Sequence, residues 1–117
     1  MMLLPAGTKV HLALGHTDMR KGIDGLATMV QEVLREDSFS GHLFAFRGRN
    51  ARIIKILFWD GSGLCLFTKR MEHGGFVWPS VHQVGESIVL SSAQLAMLIE
   101  GIDWRRPEQQ WKRRKAG

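Results

Sequence analysis

From Arg52 to Met71 the chain carries two runs of alternating apolar residues on either side of Asp60-Gly61. That pattern admits one local structure, a β-hairpin, because Asp-Gly supplies the backbone freedom a two-residue turn demands. Ile54, Ile56 and Phe58 then share one face of the first strand and Lys55 lies on the other. Upstream, His42 to Arg47 reads as a further strand, followed by a tight basic turn at Gly48-Arg49-Asn50. Downstream, Gly74-Gly75 turns the chain into Phe76-Val-Trp78, which Pro79 stops. The sequence predicts a four-stranded antiparallel meander.

Helical periodicity flanks this block. After a first strand at Lys9–Leu14, ended by Gly15, Asp18 stands where a helix from Met19 to Leu34 would be capped. Met19, Ile23, Leu26, Val30 and Val33 keep the spacing of one buried stripe. Gly22 and Gly25 each weaken such a helix by about 1 kcal/mol relative to alanine, which fits a helix packed closely on a sheet. Ser80 to Gly85 reads as a loop and Ser87–Leu90 as a short extended piece. Ser91 opens a second helix through Ile99, with Gln94 in the capping-box position and Gly101 as its stop. The expected class is α+β: an antiparallel meander of four or five strands, one helix packed on it, and a second C-terminal helix. Residues 1–104 form one domain in this reading, and residues 105–117 a basic, flexible C-terminal arm.

A hydrophobic fraction of 44% with 23% charged residues suits one globular core. Cys65 is the only cysteine, which excludes an intrachain disulfide and a zinc site of several thiolates. The apolar N-terminus has no basic leader region, and no run approaches the roughly 18 residues of a membrane span, so a cytoplasmic protein without membrane contact is expected. The net charge of +5 has a definite location. Arg105, Arg106, Lys112, Arg113, Arg114 and Lys115 against Glu108 account for all of it, while residues 1–103 balance. This charged stretch, read from Trp104 to Lys115 as a basic arm with two tryptophans, Trp104 and Trp111, can neutralise phosphates and stack on bases, or act as a solubilising tail.

Chemistry-bearing residues do not converge in the sequence. Asp18, Asp24, Asp60 and Glu72 each have a structural task, as cap, helix surface, hairpin turn and strand end. His11, His16, His42, His73 and His82 are scattered without metal-ligand spacing. There is no phosphate-binding Gly-Lys-Ser/Thr loop and no nucleophile elbow. Phe44-Ala-Phe46 lacks the basic-glycine pair of an RNA-recognition strand and reads as core. Gly22-Ile-Asp-Gly25 has the spacing of a KH-type loop, but Asp24 would face phosphate. No catalytic residue, cofactor or metal is expected. Arg47, Arg49, Arg52 and Lys55, with no acid among them, instead form a basic hairpin end suited to phosphate.

Three segments in order carry a resemblance: Thr17-Asp-Met-Arg-Lys-Gly-Ile-Asp-Gly-Leu-Ala27, then Phe46-Arg-Gly-Arg49 leading to Trp59-Asp-Gly61 and Lys69-Arg70, then Gln94-Leu-Ala-Met-Leu-Ile-Glu-Gly-Ile-Asp-Trp-Arg105. From Pro5 to Arg106 the chain resembles the TnpB-type, Orf2-like accessory proteins of the insertion sequence 66 family of bacterial transposons. The resemblance implies a role in transposition beside a larger, separately encoded transposase that carries the acidic strand-transfer triad. It brings no catalytic residues to carry over. An RNA-guided nuclease family shares the short name, but this chain is far shorter and lacks its zinc-ribbon cysteines. The expectation is a non-enzymatic accessory factor whose partners are transposon-end DNA and the transposase, with room for a homo-oligomer. Its phosphate contacts are expected at Arg20, Lys21, Arg47, Arg49, Arg52, Lys55, Lys69, Arg70, Arg105 and Arg106. One rival is a transposase adaptor that uses its tryptophans and a sheet edge without touching DNA. A weaker rival is a metal-dependent nuclease.

Overall fold

In the computed structural model, which describes residues 4–79 and 87–105, the central hairpin forms as its sequence dictates. Strand β3 (Ile53–Trp59) pairs antiparallel with β4 (Leu64–Arg70) from Ile53 opposite Arg70 to Trp59 opposite Leu64. The numbering follows chain order, with β1 at Val10–His16 and β2 at Leu43–Arg47. The Asp60 carboxylate accepts from the backbone N–H groups of Ser62 and Gly63, each at 2.9 Å, and Gly61 takes φ +105°. These bonds stabilise the carboxylate and hold Asp60 at a pKa of about 2. Strand β2 adds antiparallel to β3, and the turn between them is closed by Ala51 N donating to Gly48 O at 3.0 Å.

The meander ends at three strands. Phe76-Val-Trp78 is not a strand: Phe76 N donates to Ala51 O at 2.7 Å, and the segment passes against the β2–β3 turn. Gly75 permits that approach, because a Cβ there would lie 2.9 Å from Ala51 O. The aromatic side chains cover the sheet instead of extending it. Phe76 is buried, and the Trp78 indole donates to Ala13 O at 2.8 Å.

The other two strands join on the far side of β2. Strand β1 runs parallel to β2, with Val10 opposite Leu43 and Leu12 opposite Ala45. The crossover between them carries helix α1 (Ile23–Glu32), the connection that parallel neighbours need. Strand β5 (Ser87–Leu90) pairs antiparallel with β1. The order is therefore β4-β3-β2-β1-β5. The α+β class holds, and the sheet is mixed instead of purely antiparallel. Strand β1 also extends beyond Leu14 to His16, through Gly15 at φ +77°, with its register to β2 shifted between Leu12 and His16.

Both sheet faces are covered, which explains why β2 is an almost continuous apolar run. Leu26 and Val30 of α1 pack on Phe44, Phe46 and Leu57 on one face. On the other, Leu95, Leu98 and Ile99 of helix α2 (Ser92–Ile99) meet Leu12, Ala45, Ile54 and Ile56. Helix α2 begins at the expected capping box: Ser91 Oγ accepts from Gln94 N at 3.1 Å, and Gln94 Oε1 accepts from Ser91 N at 2.9 Å. Gly101 follows at φ +77°.

Helix α1 is shorter than Met19–Leu34, and Asp18 does not cap it. The N-cap is Gly22, without a side-chain hydrogen bond. Asp18 is engaged by Arg20 instead, which keeps residues 17–21 as a loop. Trp104 is also not part of an arm. It is buried, and its Nε1–H donates to Val77 O at 2.7 Å, closing the second face. The Ser80–Gly85 loop and the arm from Arg106 onward lie outside the described residues.

Candidate nucleic-acid interface

The β1–α1 loop and the β2–β3 turn lie side by side and enclose a cleft of about 440 Å³. Thr17 N donates to Arg47 O at 2.8 Å, which joins the loop to the end of β2. Gly48 allows the turn to close on the loop, since a Cβ at that position would stand 3.0 Å from Met19 Cγ. His16, Thr17, Asp18, Met19 and Arg20 line one side of the cleft, with Gly48, Arg49, Asn50 and Ile53 on the other.

Within the loop, the Arg20 guanidinium grips Asp18 through Nε at 3.0 Å and Nη2 at 2.9 Å, and its backbone N donates to the same carboxylate at 2.9 Å. The side-chain bond from Arg20, with its backbone bond, pulls the Asp18 pKa down to about 2, so the carboxylate is ionised at neutral pH. Arg20 is nevertheless 91% exposed along its side chain. Arg49 is exposed on the opposite wall and has no carboxylate within ion-pair distance among the described residues. With the Asp18 charge matched by Arg20, Arg49 and the neighbouring exposed Lys21 leave this end of the molecule positive.

The structure divides the ten expected contact residues by position. Arg20, Lys21 and Arg49 stand at or beside the cleft. Arg47, Arg52 and Lys55 are near it but hold the scaffold. Arg47 Nη1 donates to the carbonyls of Gly48 (3.1 Å) and Arg49 (2.9 Å), fixing the turn. Arg52 Nη2 donates to Glu72 O at 3.1 Å, and Lys55 Nζ to Lys21 O at 2.9 Å, tying the β1–α1 loop to β3. Arg47 and Lys55 also project from opposite faces of the sheet, so the hairpin end is not one four-cation patch. Lys69 sits across the sheet from α1, donating to Ile99 O at the end of α2 at 2.8 Å. Arg70 pairs with Glu72 at 3.2 Å, and Arg105 with Asp103 at 2.9 Å. Arg106 lies outside the described residues.

The cleft-lining His16, Met19, Asn50 and Ile53 are not recognisable from the sequence, because only the parallel β1–β2 pairing brings positions 16–20 and 48–53 together. Asp18, Asp24, Asp60 and Glu72 do not converge: no group of three or more His, Cys, Asp or Glu side chains is placed to hold a metal among the described residues. No helix among them is long and apolar enough to cross a membrane.

These features define a small α+β protein that presents exposed cations around a shallow, partly apolar cleft. Residues 8–109 match the family model described as IS66 Orf2 like protein, and the chain belongs to that family. It thereby stands with the accessory proteins of insertion-sequence transposition. It is 50% identical to the uncharacterized protein y4hO of Sinorhizobium fredii, over 98% of this chain and the whole of the relative. It is 33% identical to the uncharacterized protein y4jC of the same organism, over 86% of this chain and 84% of the relative. No solved structure matches it.

Proposed function

We propose that the chain is a non-enzymatic accessory factor that binds transposon-end DNA, working beside the transposase. The carrying observation is the convergence of Arg20, Lys21 and Arg49 at one cleft end of the molecule, on two loops that the scaffold cations Arg47 and Lys55 hold in place. Exposed guanidinium and ammonium groups on a fixed surface supply sequence-independent phosphate contacts. Arg47, Arg52 and Lys55 add positive potential even though their donors are engaged, because a bond to a carbonyl leaves the charge in place. Lys69, Arg70, Arg105 and Arg106 complete the proposed set of phosphate contacts, with Arg106 outside the described residues.

The adaptor reading retains one favourable observation. Phe39 is 53% exposed and stands edge-on to Trp59, with ring centroids 5.4 Å apart, at the end of β3 remote from the cleft. Exposed aromatics are common anchors of protein interfaces. Trp78 and Trp104 are unavailable for that role, since their N–H groups are bonded inside the fold.

A mobility-shift titration of the full-length protein with transposon-end DNA separates the two readings. Charge reversal at Lys21→Glu with Arg49→Glu is expected to abolish the shift while leaving co-purification with the transposase intact. No shift by the wild type even at low salt, with transposase association intact, would favour the adaptor.

A further inference from the structure

The cleft has features that a plain phosphate-binding surface does not need. A phosphate is met by exposed donors on a flat or convex surface, as at Lys21. Between the β1–α1 loop and the β2–β3 turn the chain instead forms a concavity of about 440 Å³, within the ~300–1,000 Å³ range of small-ligand sites. Its lining combines the half-buried apolar side chains of Met19 and Ile53 with the polar His16, Arg20, Arg49 and Asn50 and with Asp18, whose charge Arg20 matches.

That distribution matches the chemistry of one nucleotide. A base has an apolar face that gains by leaving water against Met19 and Ile53, and an edge of donors and acceptors within the repertoire of the Asn50 amide. The planar guanidinium of Arg20 is fixed in orientation by its fork on Asp18, and such a plane can stack on a base. Arg49, without a carboxylate partner among the described residues, is available to the flanking phosphate. In continuous duplex the face of a base is covered by its stacked neighbours, whereas an unpaired or extruded base presents that face to such a cleft. An acidic peptide would use the cations but not the apolar part of the lining.

We infer that this cleft holds a single unpaired nucleotide, so that the protein distinguishes distorted or open DNA from continuous duplex. The inference rests on the proposed DNA binding and adds the form of DNA that is preferred.

The test compares two labelled duplexes of one transposon-end sequence, one fully paired and one with a single unpaired nucleotide, by fluorescence anisotropy with the full-length protein. The duplex with the unpaired nucleotide is expected to bind about ten-fold more tightly, the scale of one base-stacking contact. Met19→Asn, at a half-buried loop position, is expected to remove most of that difference without changing the salt dependence of binding, with thermal melting to verify its fold. Ile53→Thr, at the first position of β3, provides the same test from the opposite side of the cleft. Equal affinity for both duplexes overturns the inference and leaves DNA binding standing. A preference that survives both substitutions also overturns it, by locating the recognition elsewhere. Absence of binding to either duplex overturns both readings.

Discussion

At the scale of single residues, the clearest consequence concerns His11, a buried histidine on β1 stacked on Phe44 with ring centroids 5.0 Å apart. Burial lowers its pKa from 6.5, against an opposing pull from Glu36, whose carboxylate is 4.0 Å from Nδ1, while His42 and Lys9 add repulsion. The folded chain therefore takes up this proton less readily than the unfolded chain. Stability is complete above the unfolded value and falls as pH drops through it toward the lowered folded value. Thermal melting between about pH 7.5 and about pH 5 is expected to show a loss of stability in the wild type and a smaller one in His11→Leu. An identical pH profile in the variant would contradict this assignment. Asp18 and Asp60, whose folded values are also lowered, act in the same sense but in a more acid range. With folded values of about 2, their contributions persist above the ordinary carboxylate range and disappear only in strong acid.

At the scale of elements, local signals were legible and long-range ones were not. The capping box of α2 and the hairpin at Asp60-Gly61 are fixed by residues three or fewer apart; the capping box stands as read, and the hairpin forms with residues 60–63 as its connection instead of a two-residue turn. Ser91→Ala is expected to cost about 0.5–2 kcal/mol in urea denaturation, the usual value of a helix N-cap. Helix α1 starts later than its apolar spacing suggests because Asp18 has two competing partners, a helix terminus and the arginine two residues on. The fork from Arg20 prevails, leaving Gly22 as the cap. Phe76-Val-Trp78 looks like a strand because its aromatics alternate, but the Phe76 backbone N–H is bonded to Ala51 O in the β2–β3 turn and the Trp78 indole to Ala13 O on β1. Trp104 was counted with the basic tail since only its neighbours' charge is visible in sequence. Its burial predicts a cost of about 3–5 kcal/mol for Trp104→Ala. Trp104→Phe should cost about 1–3 kcal/mol, because Val77 O loses its donor. A neutral result for Trp104→Ala would return it to the arm.

For the whole molecule, the parallel β1–β2 pair decides both the topology and the candidate site. The strand–helix–strand order of residues 9–47 is the one sequence signal that could have indicated it. Without that pairing, positions 16–20 and 48–53 are unrelated, and the basic residues read as a hairpin patch. With it, Arg20 and Arg49 face one cleft, and Lys55 and Arg47 become the supports of its two walls. The segments Thr17–Ala27 and Phe46–Arg49, which carry the family resemblance, thus meet in space through the bond from Thr17 N to Arg47 O, which the linear sequence does not express.

The central claim is that phosphate is met by the cations of this cleft. The most direct measurement is the affinity of the full-length protein for transposon-end DNA across a series of salt concentrations, for the wild type and for Arg49→Gln. Binding is expected to weaken linearly in log–log form, with the slope reduced by about one in the variant, the signature of one lost phosphate contact. An unchanged slope in Arg49→Gln, or no binding by the wild type even at low salt, would contradict it.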